Sequence, residues 1–128
     1  MNKKQLLNLV NSLNLPKTEY YILGGGSLVI SNIKETTADL DLCVSNELFT
    51  TLKEKYNLKE SDKNPCGFYP LNDLVEIVPN TKENFTMQEI DGYNVENLER
   101  ILKFKKNRNL PKDLNDIINI EKYLDTHK

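Results

Sequence analysis

The hydrophobic positions of this 128-residue chain switch between helical and strand spacing. Leu6, Leu9, Val10 and Leu13 recur at helical spacing, and Pro16 closes the helix they predict. Tyr20 to Leu23 is a short, aromatic-rich apolar run that stops at Gly24-Gly25-Gly26, which reads as a strand entering a tight turn. Ser27 to Ile33 returns to a helix-compatible pattern. Asp39-Leu40-Asp41-Leu42-Cys43-Val44 alternates strictly, as a half-buried strand does. Ser45 reads as the N-cap of a helix carrying Glu47, Leu48, Leu52 and Tyr56.

A loop is expected around Lys63-Asn64-Pro65-Cys66-Gly67. Phe68-Tyr69 and Leu74 to Val78 read as further strands, the second stopped by Pro79-Asn80. Ile90-Asp91-Gly92-Tyr93 suits a short edge hairpin or strand. Glu96 to Asn107 is a predicted helix with Leu98, Ile101 and Leu102 on its apolar stripe. Pro111 suits the first turn of a last helix, whose expected core face is Leu114, Ile117, Ile118 and Leu124. The expectation is one α+β domain over residues 1–128, a small mixed β-sheet flanked by helices.

Composition agrees: 38% hydrophobic and 28% charged residues suit a globular chain with a core of its own. The formal charge of −2 argues against a nucleic-acid binder driven by bulk electrostatics. Locally, Arg100 to Lys112 holds six basic residues and no acidic one, a block that could meet phosphates or simply form a solvated helix face. Cys43 and Cys66 are the only cysteines and His127 the only histidine, so neither a zinc motif nor a disulfide framework is present. Reduced thiols and the lack of any apolar run of membrane-spanning length lead to an expectation of a cytoplasmic protein with no membrane partner.

Three features carry candidate chemistry. Asp39 and Asp41 are two apart in a predicted strand and so share a face, where like charges repel unless a cation lies between them. Mg²⁺ commonly takes one or two carboxylates plus substrate phosphates. Gly24, Gly25, Gly26 and Ser27 lie between strand and helix, where backbone N–H groups can approach a phosphate. A third acid, Glu76, is bracketed by Val75 and Ile77, with Asp73 competing for the same role. Each feature alone also fits a plain turn or a solvated strand end.

Their order is what makes them specific. Strand, Gly-Gly-Gly-Ser, short helix, Thr36-Thr37, then a strand opening with D-x-D resembles the nucleotidyltransferase superfamily that includes the DNA polymerase beta palm. The tail Lys103…Arg108…Lys112-Asp113-(Leu-Asn)-Asp116 resembles that of bacterial nucleotidyltransferases of the abortive-infection toxin branch. Together these motifs span about residues 22–118. Two positions depart from the pattern: Glu35 stands where an arginine often precedes Thr-x-Asp-x-Asp, and Glu76 where aspartate is commoner.

The resemblance implies a polymerase-beta palm-like fold and transfer of a nucleotide from an NTP to a hydroxyl acceptor. It implies Asp39, Asp41 and Glu76 as catalytic carboxylates and ligands of Mg²⁺ or Mn²⁺. It makes Gly24, Gly25, Gly26, Ser27 and Lys103 the residues that bind the nucleotide. The implied acceptor is a tRNA or other RNA, a partner protein or a small hydroxylated compound, in a toxin–antitoxin or phage-defence setting. The rival expectation is a catalytically idle domain of this fold, serving as a binding or antitoxin-like module.

Overall fold

The computed structural model describes residues 1–79 and 87–127. Asn80, expected to help stop a strand, lies outside the described residues. The chain is mixed α+β, with a six-stranded mixed sheet and five α-helices among the described residues. In chain order the elements are α1 (Lys3–Ser12), β1 (Tyr20–Ile22), α2 (Gly24–Ile30), β2 (Leu40–Val44) and α3 (Asn46–Lys55). They continue with β3 (Tyr69–Pro70), β4 (Val75–Pro79), β5 (Met87–Ile90), β6 (Tyr93–Glu96), α4 (Leu98–Arg108) and α5 (Leu114–Thr126).

Across the sheet the order is β3-β4-β2-β1-β6-β5. β2 runs parallel to β4 and β1 parallel to β6; the other neighbours are antiparallel. Strand alternation then sorts the side chains. Leu40, Leu42, Val44, Val75, Ile77, Tyr20 and Ile22 join one core with Leu6 and Val10 of α1, Val29 and Ile30 of α2, and Leu48 and Leu52 of α3. The opposite face carries Tyr21, Leu23, Cys43 and Val78, with Phe68 packed on them. Asp41 and Glu76 alternate onto this second face, because their neighbours Leu40, Leu42, Val75 and Ile77 are fully buried in the first. Burying a leucine or isoleucine is worth roughly 1.5–3 kcal/mol, so these apolar partners set the strands' orientation and hold the carboxylates on the other side.

Local signals explain most helix starts. Asn2 and Gln5 form a capping box on α1, and Ser45 caps α3 through the Leu48 N–H (3.1 Å). Asn97 accepts from the N–H groups of Glu99 and Arg100, so α4 starts at Leu98 and Glu96 belongs to the preceding strand. The expected short hairpin is present, with Asp91 and Gly92 both at positive φ in its turn. Only β5 lies at the edge, however, since β6 pairs with β1 inside the sheet.

Two expectations are corrected. The second helix begins at Gly24, not Ser27, so the glycines form its first turn rather than a turn before it. In α5 the core face centres on Ile120, with Tyr123 and Leu124 packed against Leu28, Leu98 and Ile101. Leu114 and Ile118 are 60% and 44% exposed. On the side of α5 turned toward α4, Asp116 joins Asp113 in meeting cations of α4 beside the Ile120 packing, which leaves Leu114 and Ile118 on the opposite side.

Candidate active site

Parallel pairing of β2 with β4 sets Asp41 directly opposite Glu76. Asp39 sits one residue before β2 and is exposed, while Asp41 and Glu76 are half-buried. Burial first, then the negative charges of Asp39 and Glu76, push the Asp41 carboxyl up to about 7. One of its oxygens, Oδ1, is buried without a hydrogen-bond partner among the described residues. Asp73 lies in the exposed bend before β4, outside this pairing. The competition between Asp73 and Glu76 for a place beside Asp41 is therefore decided by strand register.

Glu76 has a partner that periodicity could not show. Asn64 donates from Nδ2 to Glu76 Oε2 (3.3 Å), while its Oδ1 accepts from the N–H groups of Cys66 (2.9 Å) and Phe68 (3.0 Å). The same loop is closed by Asn64 N to the Phe68 carbonyl (2.8 Å). Asparagine suits this position because its carbonyl can satisfy the loop while its amino group reaches outward.

The glycine turn adjoins the carboxylates through the backbone, since Leu23 N donates to the Asp41 carbonyl (2.9 Å). Gly24 has φ +52°, a left-handed conformation that a side chain would strain. A Cβ on Gly25 would stand 2.6 Å from Thr37 Oγ1. That hydroxyl in turn donates to the Asp39 carbonyl (3.3 Å), so Thr37 bridges the glycine turn and the D-x-D strand. A Cβ on Gly26 would meet Ile22 at 2.6 Å. Packing alone thus accounts for two of the three glycines.

Two of the turn's donors are already engaged. Gly24 N donates to Glu96 Oε1 (2.9 Å), and the fully buried Ser27 hydroxyl donates to the Glu96 carbonyl (2.9 Å). Ser27 is therefore buried with its hydroxyl committed within the chain. Glu96 was not singled out by the sequence. Ile22 pairs with Val95, which brings Glu96 beside Leu23, so Glu76, Asp41, Leu23 and Glu96 form one row across four neighbouring strands. Burial raises the Glu96 carboxyl, against the lowering by the Gly24 N–H and by Arg100, whose Nε lies 3.4 Å from Oε2.

The basic block of α4 is mostly matched by acids of this same chain. Arg108 grips the buried Asp113 with two hydrogen bonds (2.7 and 2.6 Å), and Lys105 reaches Asp113 (3.2 Å) and Asp116 (3.3 Å). Lys106 pairs with Glu121 and Arg100 with Glu96. Lys103 is exposed, and among the described residues no hydrogen bond or ion pair joins it to the carboxylate face. The α4 cation that does meet this row is Arg100. Its signal in the sequence was the i, i+4 spacing from Glu96, masked because Glu96 reads equally well as the start of the helix.

Among the described residues, no group of three Asp, Glu, His or Cys side chains is gathered closely enough to hold a metal ion. The donor set nevertheless fits a hard divalent cation. It consists of carboxylate oxygens only, and one of them, the buried Asp41 Oδ1, has no hydrogen-bond partner among the described residues. No family model, curated protein or solved structure matches this chain. No helix among the described residues is long and apolar enough to cross a membrane.

Proposed function

We propose that the chain is a Mg²⁺-dependent nucleotidyltransferase of the polymerase-beta palm-like fold, moving an NMP from an NTP to a hydroxyl acceptor. The observation that supports this most is the Asp41–Glu76 pairing across β2 and β4, with Asp39 at the start of β2 and an Asp41 oxygen left unpartnered. Structural carboxylates on one sheet face are ordinarily paired with cations or solvated, because a half-buried charge without a partner is costly. A site that receives its cation with the substrate accounts for the arrangement.

Asp39, Asp41 and Glu76 would hold the metal. When bound, Mg²⁺ or Mn²⁺ supplies charge neutralisation of the triphosphate and eases ionisation of an acceptor hydroxyl. In the reaction the acceptor oxygen bonds to the α-phosphorus as the bond to pyrophosphate breaks. Glu76, opposite Asp41 in the parallel pairing, is the carboxylate placed to take the hydroxyl proton. Arg100, beside the glycine turn, offers a guanidinium to the departing pyrophosphate once Glu96 releases it. The backbone amides of the turn assist, and Lys103 contributes only if the triphosphate extends to the exposed side of α4. The acceptor is an RNA, a partner protein or a small hydroxylated compound.

One observation favours the second reading, an idle binding module of the same fold. Glu96 already occupies the Gly24 N–H, and Ser27 is committed to the Glu96 carbonyl. Two measurements separate the readings. Calorimetric titration of Mn²⁺ with a non-hydrolysable NTP should show binding that an Asp39→Ala/Asp41→Ala variant loses; equal binding by both proteins removes the metal assignment. Labelled NTPs incubated with total tRNA, lysate protein and hydroxylated compounds should then yield Mg²⁺-dependent label transfer. Binding with no transfer to any of the three supports the idle module.

A further inference from the structure

The loop that precedes β3 is built around one side chain. Asn64 uses its carbonyl oxygen twice, for the N–H groups of Cys66 and Phe68, and its backbone closes the loop on both sides, N to the Phe68 carbonyl and O from the Gly67 N–H (2.9 Å). Those bonds account for a turn and need nothing more than an acceptor, which aspartate or serine would also provide. The amide nitrogen has a separate use: it donates to Glu76 Oε2 at 3.3 Å, twelve residues away in the chain. A donor at that point favours one orientation of a carboxylate whose nearest sheet neighbour, Asp41, repels it.

From this geometry we infer that Asn64 is a positioning residue for the third carboxylate, fixing Glu76 Oε2 so that Oε1 is presented to a divalent cation shared with Asp41. The inference rests on the proposed metal site. The structure supplies a physical reason for the glutamate: β4 places the Glu76 backbone in register with Asp41, and the longer side chain can reach Asn64 at the rim while staying on the carboxylate face. Phe68, held by the same asparagine, packs on Tyr21, Leu23, Cys43 and Val78 of that face. The asparagine's position is thus fixed by apolar packing at one end of the loop and is not left to a mobile segment's choice.

The test is a double-mutant cycle read by Mn²⁺ affinity, using the free-ion electron paramagnetic resonance signal with the metal alone as probe. Wild type, Asn64→Ala, Glu76→Gln and the double variant are compared, each with a thermal melt. Removing a partner that orients a metal-binding side chain commonly costs ten- to a hundredfold in metal affinity. Asn64→Ala is expected to weaken Mn²⁺ binding by about tenfold in the wild-type background and by less than about twofold when Glu76→Gln is already present. Its loss of thermal stability should be similar in both backgrounds, because the Cys66 and Phe68 bonds are lost in each and Glu76→Gln keeps a side-chain carbonyl to accept from Asn64. If Asn64→Ala fails to fold, Asn64→Ser replaces it, since serine keeps an acceptor for the loop but cannot reach Glu76.

Equal losses of Mn²⁺ affinity in the two backgrounds overturn the inference and leave Asn64 as a loop residue. Wild-type binding that Asp39→Ala/Asp41→Ala abolishes, but that both Asn64 variants leave intact, overturns the positioning role alone. No Mn²⁺ binding by the wild type overturns the metal site, and this inference with it.

Discussion

Asp41 and Glu76 lie 35 positions apart in the chain, yet their Cα atoms are register partners across two parallel strands. That pairing sets the two carboxylates side by side on one face of the sheet.

Asp41 should make the protein less stable at neutral pH in the absence of metal. Its folded pKa is pushed up to about 7, above the value of about 3.9 in an unfolded chain. The folded state therefore holds a proton that the unfolded state has lost between about pH 4 and 7. The contribution is fully present below pH 4 and is lost as pH rises through 7. In chelator, Tm should fall over that interval for wild type and fall less for Asp41→Asn, which should melt higher than wild type at pH 8. Parallel curves for the two proteins would show that Asp41 is not the titrating group.

Asp113 has the opposite sign. The Arg108 guanidinium, and after it Lys105, hold its carboxyl well below the usual range against the effect of burial. Its stabilisation is therefore present above about pH 4 and lost as pH falls. Asp113→Ala should cost about 3 kcal/mol, the low end for breaking a buried ion pair because Arg108 remains a third exposed. Urea unfolding at pH 7 measures the loss. Lys105→Ala should also destabilise, whereas Lys103→Ala should leave the midpoint unchanged.

The glycine turn can be probed without any nucleotide. Gly25→Ala brings a Cβ to 2.6 Å from Thr37 Oγ1, so it should lower Tm. Thr37→Ala removes that oxygen, leaving its own Cβ 3.4 Å from the new Gly25→Ala methyl. The double variant should therefore melt close to Thr37→Ala alone. Additive losses would mean that the site rejects a Cβ for another reason. Gly24→Ala should cost about 1–2 kcal/mol whatever residue 37 is, because the strain lies in its own φ.

Glu96 competes with any anion that approaches the Gly24 N–H and Arg100. Glu96→Gln removes that negative charge while keeping the side chain's size. Tripolyphosphate binding, measured by calorimetry, should tighten at least about threefold, as expected for removing a nearby like charge at intermediate dielectric. Weaker binding would instead show that Glu96 serves to hold Arg100 in place.

Much of this protein was legible along the chain. The alternation from Asp39 to Val44 gives the strand Leu40–Val44, with Asp41 on the face opposite Leu40 and Leu42 and Asp39 exposed just before it, and Ser45 gives the following helix its start. The glycine run after Tyr20 to Leu23 ends a strand, and Asp91-Gly92 closes a hairpin. These are local matters, settled by dihedral preference, capping and the spacing of apolar residues within a few positions of one another. Tertiary structure decided the rest. Only the β2–β4 ladder selects Glu76 over Asp73, and only the β1–β6 pairing brings Glu96 into the same row. The tail shows the same limit. Lys103, Lys105 and Arg108 are alike as cations in a helix, but only Lys105 and Arg108 face Asp113, and Leu114 and Ile118 lie exposed despite their apolar character. A one-dimensional pattern records which residues share a face of one element; which element that face meets depends on packing and charge between segments tens of residues apart.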